Sequence, residues 1–368
     1  MAKKTWVEDN LAQVSVRDIE KVNLPKAQAL FSDVSRNTAH PQGRRYPITS
    51  KTRPGEVMMG SDDPSFLSSS VKFDKGINSA DPVVSRVRQK GMYAMPAGNF
   101  ESADCCKDKT AGCAAACLNT TGRLGLHTAT QLARTKMLSE HPAESLALLA
   151  HEAHNHFENT IRQGFLPALR LDGTSELHID EMDAGDYIFG GQGGEYQKTR
   201  TERGPLRGLP QAVGSEYGKR HAKGALSGPT PRSRQSNVTR VASWSEGLTK
   251  DRAVEITSEG LDIATPVTNF GSSIDSLGKK PLPSHIEMQF SRGGSGLILP
   301  AVNYDEHDAV GVRRQTGAMG VLRAKSPGFG AVGAGAPGRK DSFLREHPAV
   351  PVKLSASRHV SRQQVGEQ

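Results

Sequence analysis

The stretch from Thr128 to Leu171 constrains this chain more than any other, because it spells two helices and a strand in a fixed order. Leu146, Leu149, Ala150, Ala153, Phe157 and Ile161 recur at helical spacing and define one apolar stripe. Pro142 suits the first turn of that helix and Gly164 suits its stop. Upstream, a further helical run from about Thr128 ends at Pro142, and downstream Leu166-Pro-Ala-Leu-Arg-Leu reads as a short buried strand. Gly91-Met-Tyr-Ala-Met-Pro-Ala-Gly reads as an earlier strand, stopped by Pro96 and Gly98. Strand, long helical crossover and strand place two parallel strands side by side.

The same alternation continues at lower contrast. Asn237–Trp244 reads as a strand, Leu248–Glu259 as a helix and Leu261–Val267 as a strand, with further strands at Ile286–Phe290, Leu297–Val302 and Met319–Arg323. The expected fold class is therefore α/β, a (β/α) barrel or partial barrel with parallel strands. Residues 1–90 are polar, with only short apolar runs, and read as a partly ordered leader. The α/β body is expected over 91–325, with a basic flexible tail over 326–368.

Charge is distributed unevenly around that body. The formal net charge is +8, yet residues 187–240 and 311–368 each hold 10 basic and 3 acidic side chains, leaving the remainder net acidic. Both basic stretches are rich in Gly and Pro, so they read as loops or tails around that body, 187–240 as an insertion within it. Arg200, Arg203, Arg207, Lys219, Arg220, Lys223, Arg232 and Arg234 could neutralise phosphates of DNA or RNA, with few aromatics to stack bases. Gly190-Gly-Gln-Gly-Gly194 lacks the Lys-Ser/Thr of a phosphate-binding P-loop. No apolar run of about 18 residues and no signal-peptide pattern is present, so a cytoplasmic, non-membrane protein is expected.

All four cysteines, Cys105, Cys106, Cys113 and Cys117, fall within 13 consecutive residues. In a reducing compartment such clustering reads as a metal or redox site before it reads as disulfides. Starting from Cys106 the spacing is C-x6-C-x3-C; starting from Cys105 it is C-x7-C-x3-C. Three thiolates on one loop suit a [4Fe-4S] cluster with one iron left open, whereas all four would close a tetrahedral zinc site. On the next strand end, Asp172, Gly173, Thr174, Ser175 and Glu176 offer carboxylates, hydroxyls and open backbone beside that loop.

Other candidates are Asp305 and His307, which follow a strand and could act as acid and base. His151, His154 and His156 lack the i, i+4 pairing of a zinc helix, so they read as a solvated face.

Several phrases in this order carry a resemblance. The succession of strand, three-cysteine loop, helix, strand and Gly/Glu loop is similar to that of radical S-adenosylmethionine enzymes, whose usual spacing, C-x3-C-x2-C, is tighter than the one here. Tyr93-Ala-Met-Pro-Ala-Gly98, Leu118-Asn-Thr-Thr-Gly-Arg123 and Ala168-Leu-Arg-Leu-Asp-Gly-Thr-Ser-Glu-Leu177 resemble phrases of the phage gene-product-88-like family. Glu216-Tyr-Gly-Lys-Arg220, Asn303-Tyr-Asp-Glu-His-Asp308 and Val321-Leu-Arg-Ala-Lys325 extend the likeness more weakly.

The resemblance implies a viral protein acting in an infected host cell. It matches Cys106, Cys113 and Cys117 to the family's three cysteines and leaves Cys105 as an extra one. It also singles out Asn119 and Arg123 for holding the loop or an anionic group. Together these readings lead to an iron-sulfur, radical-SAM-like or related redox enzyme that uses a [4Fe-4S] cluster and S-adenosylmethionine. The alternatives are a viral nucleic-acid-binding protein with a structural zinc, gripping DNA or RNA through 187–240 and 311–368, and a virion or assembly protein.

Overall fold

The computed structural model describes residues 5–39, 62–69, 76–80, 82–92, 94, 103–107, 128–171, 173, 175–189, 213–218, 238–244, 247–267, 282–290, 295–304, 316–323 and 349–350. The helical hairpin that dominates the sequence forms as read: α4 spans Thr128–Glu140 and α5 spans Pro142–Arg162, with Pro142 in the first turn of α5. Gly164 ends α5 in a left-handed conformation, φ +79. There Gly164 donates its N–H to the Ile161 carbonyl and Phe165 donates to the Thr160 carbonyl, the paired bonds of a Schellman stop. The same device ends α7 (Lys250–Ser258), where Gly260 has φ +80 and Leu261 donates to the Ile256 carbonyl. Each stop turns the chain directly back toward the sheet.

Among the described residues, ten strands form one sheet. Its body is parallel: β3 (Val87–Met92), β5 (Leu166–Arg170), β6 (Val213–Gly218), β7 (Val238–Ser243), β8 (Ile263–Val267), β11 (Met319–Arg323) and β10 (Leu297–Asn303). Antiparallel strands lie at both ends, β2 (Leu67–Ser68) against β3, and β9 (His285–Met288) against β10, with β12 (Ala349–Val350) beyond it. A separate parallel pair joins β1 (Thr5–Trp6) to β4 (Ala103–Asp104). The mixed α/β class with parallel strands is as expected from the sequence.

Three local outcomes differ from the sequence reading. The first strand of the body is Val87–Met92, a few residues earlier than Gly91–Gly98, because Arg88 and Lys90 occupy one face of an otherwise half-buried strand. Inside the basic stretch 187–240, Val213–Gly218 is a strand in the middle of the sheet rather than a loop. At the N-terminus, α1 (Val7–Leu11), α2 (Val16–Glu20) and α3 (Leu24–Arg36) pack Val7, Leu11, Ile19, Ala27 and Phe31 into the core that holds α4 and α5.

Two of those N-terminal helices, α2 and α3, carry side-chain caps. Ser15 and Asp18 form a capping box on α2, and Asn23 accepts the Lys26 N–H at the start of α3. Phe31 stacks on Phe66, with ring centroids 4.6 Å apart. A second cluster, Trp244, Ile256, Ile263, Met288 and Met319 among them, fills the space between α7 and the later strands.

Candidate functional site

The cysteine segment and the loop after β5 meet at the C-terminal ends of β3 and β5. Cys106 pairs with Glu176 in a parallel bridge, and the Glu176 N–H donates to the Cys105 carbonyl at 2.9 Å. One step earlier, Gly173 donates its N–H to the Met92 carbonyl at the end of β3 (3.0 Å), and the Arg170 guanidinium donates to the Gly173 carbonyl at 3.5 Å. The two loops are thus stitched together by backbone, on the rim where parallel α/β folds carry their chemistry.

The cysteine segment is held from its other flank as well. β4 leads directly into Cys105, and β1 lies alongside it. Lys107 forms an ion pair with Asp9 of α1, 2.8 Å apart. Neighbouring residues of an extended segment point to opposite sides, and here the two thiols part accordingly. Cys105, 1% exposed, enters the hydrophobic core and lies 3.8 Å from the Thr135 hydroxyl of α4. Cys106 is also buried but lies outside that apolar cluster, beside Glu176.

The described residues of the loop after β5 are unusual in being buried. Gly173, Ser175, Glu176, Leu177, His178, Ile179 and Asp180 are all buried. Loops normally run over the surface, and a buried carboxylate is costly unless it is paired or hydrogen-bonded. His178, 2% exposed, is the only non-glycine residue with a positive φ among the described residues (φ 49). Backbone held in that region costs of order 1 kcal/mol and persists where the surroundings dictate it.

The covering element is α6 (Asp183–Phe189), which approaches so closely that a Cβ on Gly185 would lie 2.4 Å from the Ile179 carbonyl oxygen. Sequence reasoning named Ser175 and Glu176 and passed over His178 and Asp180. Their alternation with Leu177 and Ile179 is the signal that was there to be read.

Of the residues singled out from the sequence, Cys105, Cys106, Gly173, Ser175 and Glu176 are brought together here. Cys113, Cys117, Asn119, Arg123, Asp172, Thr174, Asp305 and His307 lie outside the described residues, as do the basic side chains of 187–240 named above and the sequence from 351 onward. Among the described residues, no group of three or more His, Cys, Asp or Glu side chains is arranged to hold a metal. None of the described helices is long and apolar enough to cross a membrane.

The α5 histidines correct the sequence reading of a solvated face. His151 is exposed, but His154 and His156 are buried, because α5 is packed on both flanks as well as along its stripe. His154 lies against Tyr187 of α6, ring centroids 5.7 Å apart. His156 Nε2 donates to the carbonyls of Arg88 (3.0 Å) and Ala168 (3.1 Å) on neighbouring strands, while Nδ1 accepts from the Thr160 hydroxyl (3.3 Å). Burial, reinforced by the Lys90 charge, lowers its pKa to about 4 against the pull of those two carbonyls. It is a neutral imidazole that ties α5 to β3 and β5.

The chain matches no protein-family model, no curated protein and no solved structure.

Proposed function

We propose that this chain is a phage-encoded iron-sulfur enzyme of the radical S-adenosylmethionine kind, or a related redox enzyme, built on a barrel or partial barrel of parallel strands. The observation that carries the reading is the junction of Cys106 with Glu176 at the ends of β3 and β5. The donor chemistry fits: Cys106 is buried on the rim, and Cys113 and Cys117 follow on the same loop at spacings that three thiolates of one cluster can span.

Cys106, Cys113 and Cys117 would hold a [4Fe-4S] cluster, and Asn119 and Arg123 would secure the loop around it. When bound, such a cluster supplies an electron and one open iron position. The chain's own contribution is then positioning. The backbone stitches between residues 92, 105, 173 and 176 hold the two loops at fixed separation, and burial of Ser175, Glu176, His178 and Asp180 keeps water from the rim. Glu176, with Asp172, Gly173, Thr174 and Ser175, provides acceptors and donors for the amine, carboxylate or ribose of S-adenosylmethionine. Asp305 and His307 are the candidate acid and base.

The test is equilibrium dialysis of S-adenosylmethionine against protein loaded anaerobically with iron and sulfide, beside protein loaded with zinc. Binding to the iron-sulfur form that disappears in Glu176→Ala supports the proposal. Equal binding, or none, to both forms refutes it.

A further inference from the structure

A cavity of about 460 Å³ lies between β3 and the C-terminal half of α5, and it shares no residue with the cysteine and Glu176 loops. Its volume falls within the ordinary range of small-molecule sites. Its lining is polar. From α5 and its C-cap come Asn155, Asn159 and Gln163, spaced by four, so that their carboxamides form one row, of which Asn155 already donates to the His151 ring (2.9 Å). From β3 come Arg88 and Lys90, two apart and therefore on the same face as Met92. Ser65, Ser69 and Thr160 add hydroxyls.

The charged groups on these elements differ in how far they are already committed. Glu152 faces the cavity, but its carboxylate accepts from the Ser65 hydroxyl and from the Phe66 and Leu67 N–H groups. Arg88 donates to the Ser85 and Val87 carbonyls and stacks over Phe165, 3.6 Å from the ring centroid. His156 is neutral and spent on strand carbonyls. Lys90 is half-buried and makes no hydrogen bond or ion pair among the described residues. Asn159 and Gln163 likewise leave their carboxamides uncommitted.

We propose that this cavity binds a small polyhydroxylated oxyanion of the sugar-phosphate kind. Its phosphate would meet the Lys90 ammonium, and its hydroxyls would meet the carboxamide row of α5. A lysine serves as a point charge for phosphate, and carboxamides match hydroxyl groups because each carries both donors and an acceptor. Nucleotides fit less well, because among the described residues no Phe, Tyr or Trp ring lines the cavity to receive a base, and the His156 ring is tied to strand carbonyls; Ile77 and Val87 are its apolar residues. The site is independent of the iron-sulfur proposal and stands or falls separately.

The experiment is isothermal titration of the full chain with ribose 5-phosphate, inorganic phosphate and ribose, repeated on Lys90→Gln, Lys90→Arg and Asn159→Leu. Circular dichroism establishes that each variant is folded. Ribose 5-phosphate should bind more tightly than phosphate or ribose. Lys90→Gln should weaken it about tenfold or more, Lys90→Arg should recover most of that loss, and Asn159→Leu should lower affinity for the sugar phosphate but not for phosphate. Absence of ribose 5-phosphate binding, equal affinity for phosphate alone, or unchanged affinity in folded Lys90→Gln would overturn the proposal.

Discussion

The Glu176 N–H donates to the Cys105 carbonyl at 2.9 Å, so the backbone of the cysteine segment is fixed to the loop after β5. Yet the Cys105 side chain turns away into the apolar core beside Thr135. The two vicinal cysteines therefore have different work. Cys105→Ala should lower stability by about 1 kcal/mol, the worth of one buried group of that size, and leave metal content unchanged. Urea unfolding together with metal analysis checks this; a loss of metal in Cys105→Ala would place the wrong sulfur at the rim.

Asp262 anchors the strands on the other side of the sheet. Its buried carboxylate accepts from the Tyr304 hydroxyl (2.7 Å) and from the Thr316 and Ala318 N–H groups (2.9 and 2.8 Å). Asp262→Ala strands two buried donors and one part-buried one and should cost about 3 kcal/mol, whereas Tyr304→Phe removes one bond and should cost about 1.5 to 3 kcal/mol. Because both touch one network, the double variant should lose less than the sum in denaturant titrations.

Glu152 holds β2 against α5 through the three bonds to Ser65, Phe66 and Leu67. Glu152→Ala should cost about 2 kcal/mol. Amide hydrogen exchange should show the loss locally, with Phe66 and Leu67 exchanging faster while amides in the middle of α5 change only as global stability does.

His156 makes stability depend on pH with a definite sign. Its folded pKa, about 4, lies below the ordinary 6.5, so between those values the unfolded chain binds the extra proton and the folded chain does not. Stability is therefore full above about pH 6.5 and falls as the pH drops toward 4, by up to about 3 kcal/mol. His156→Gln should flatten that slope in urea titrations taken from about pH 7 to about pH 4.5. Asp18, held below its ordinary 3.8 chiefly by the Ser15 side chain, acts only at lower pH.

The elements that were legible in the sequence are those whose own residues decide them. α4, α5 and β5 are marked by a long apolar stripe and by Pro142 and Gly164, and β11 by the unbroken run Met319–Arg323. β6 was not legible, since Val213-Gly-Ser-Glu-Tyr-Gly218 has two interior or terminal glycines beyond its first and little apolar content, and its place is fixed by pairing with β5 and β7. α1 and α2, five residues each, are too short for a period to show, and packing rather than propensity forms them.

The site divides in the same way. Cysteine spacing and the Gly-Thr-Ser-Glu phrase brought Cys106 and Glu176 forward, but the burial of His178 and Asp180 depends on α6 folding back over the loop, and that of His156 on how α5 packs against β3 and β5.

The central claim is the cluster. Protein purified without oxygen and offered iron and sulfide should take up about four of each per chain with broad visible absorption, and Cys106→Ser, Cys113→Ser and Cys117→Ser should each lose most of it while Cys105→Ser keeps it. Wild-type protein that stays colourless and retains only zinc, or no metal, would contradict the account.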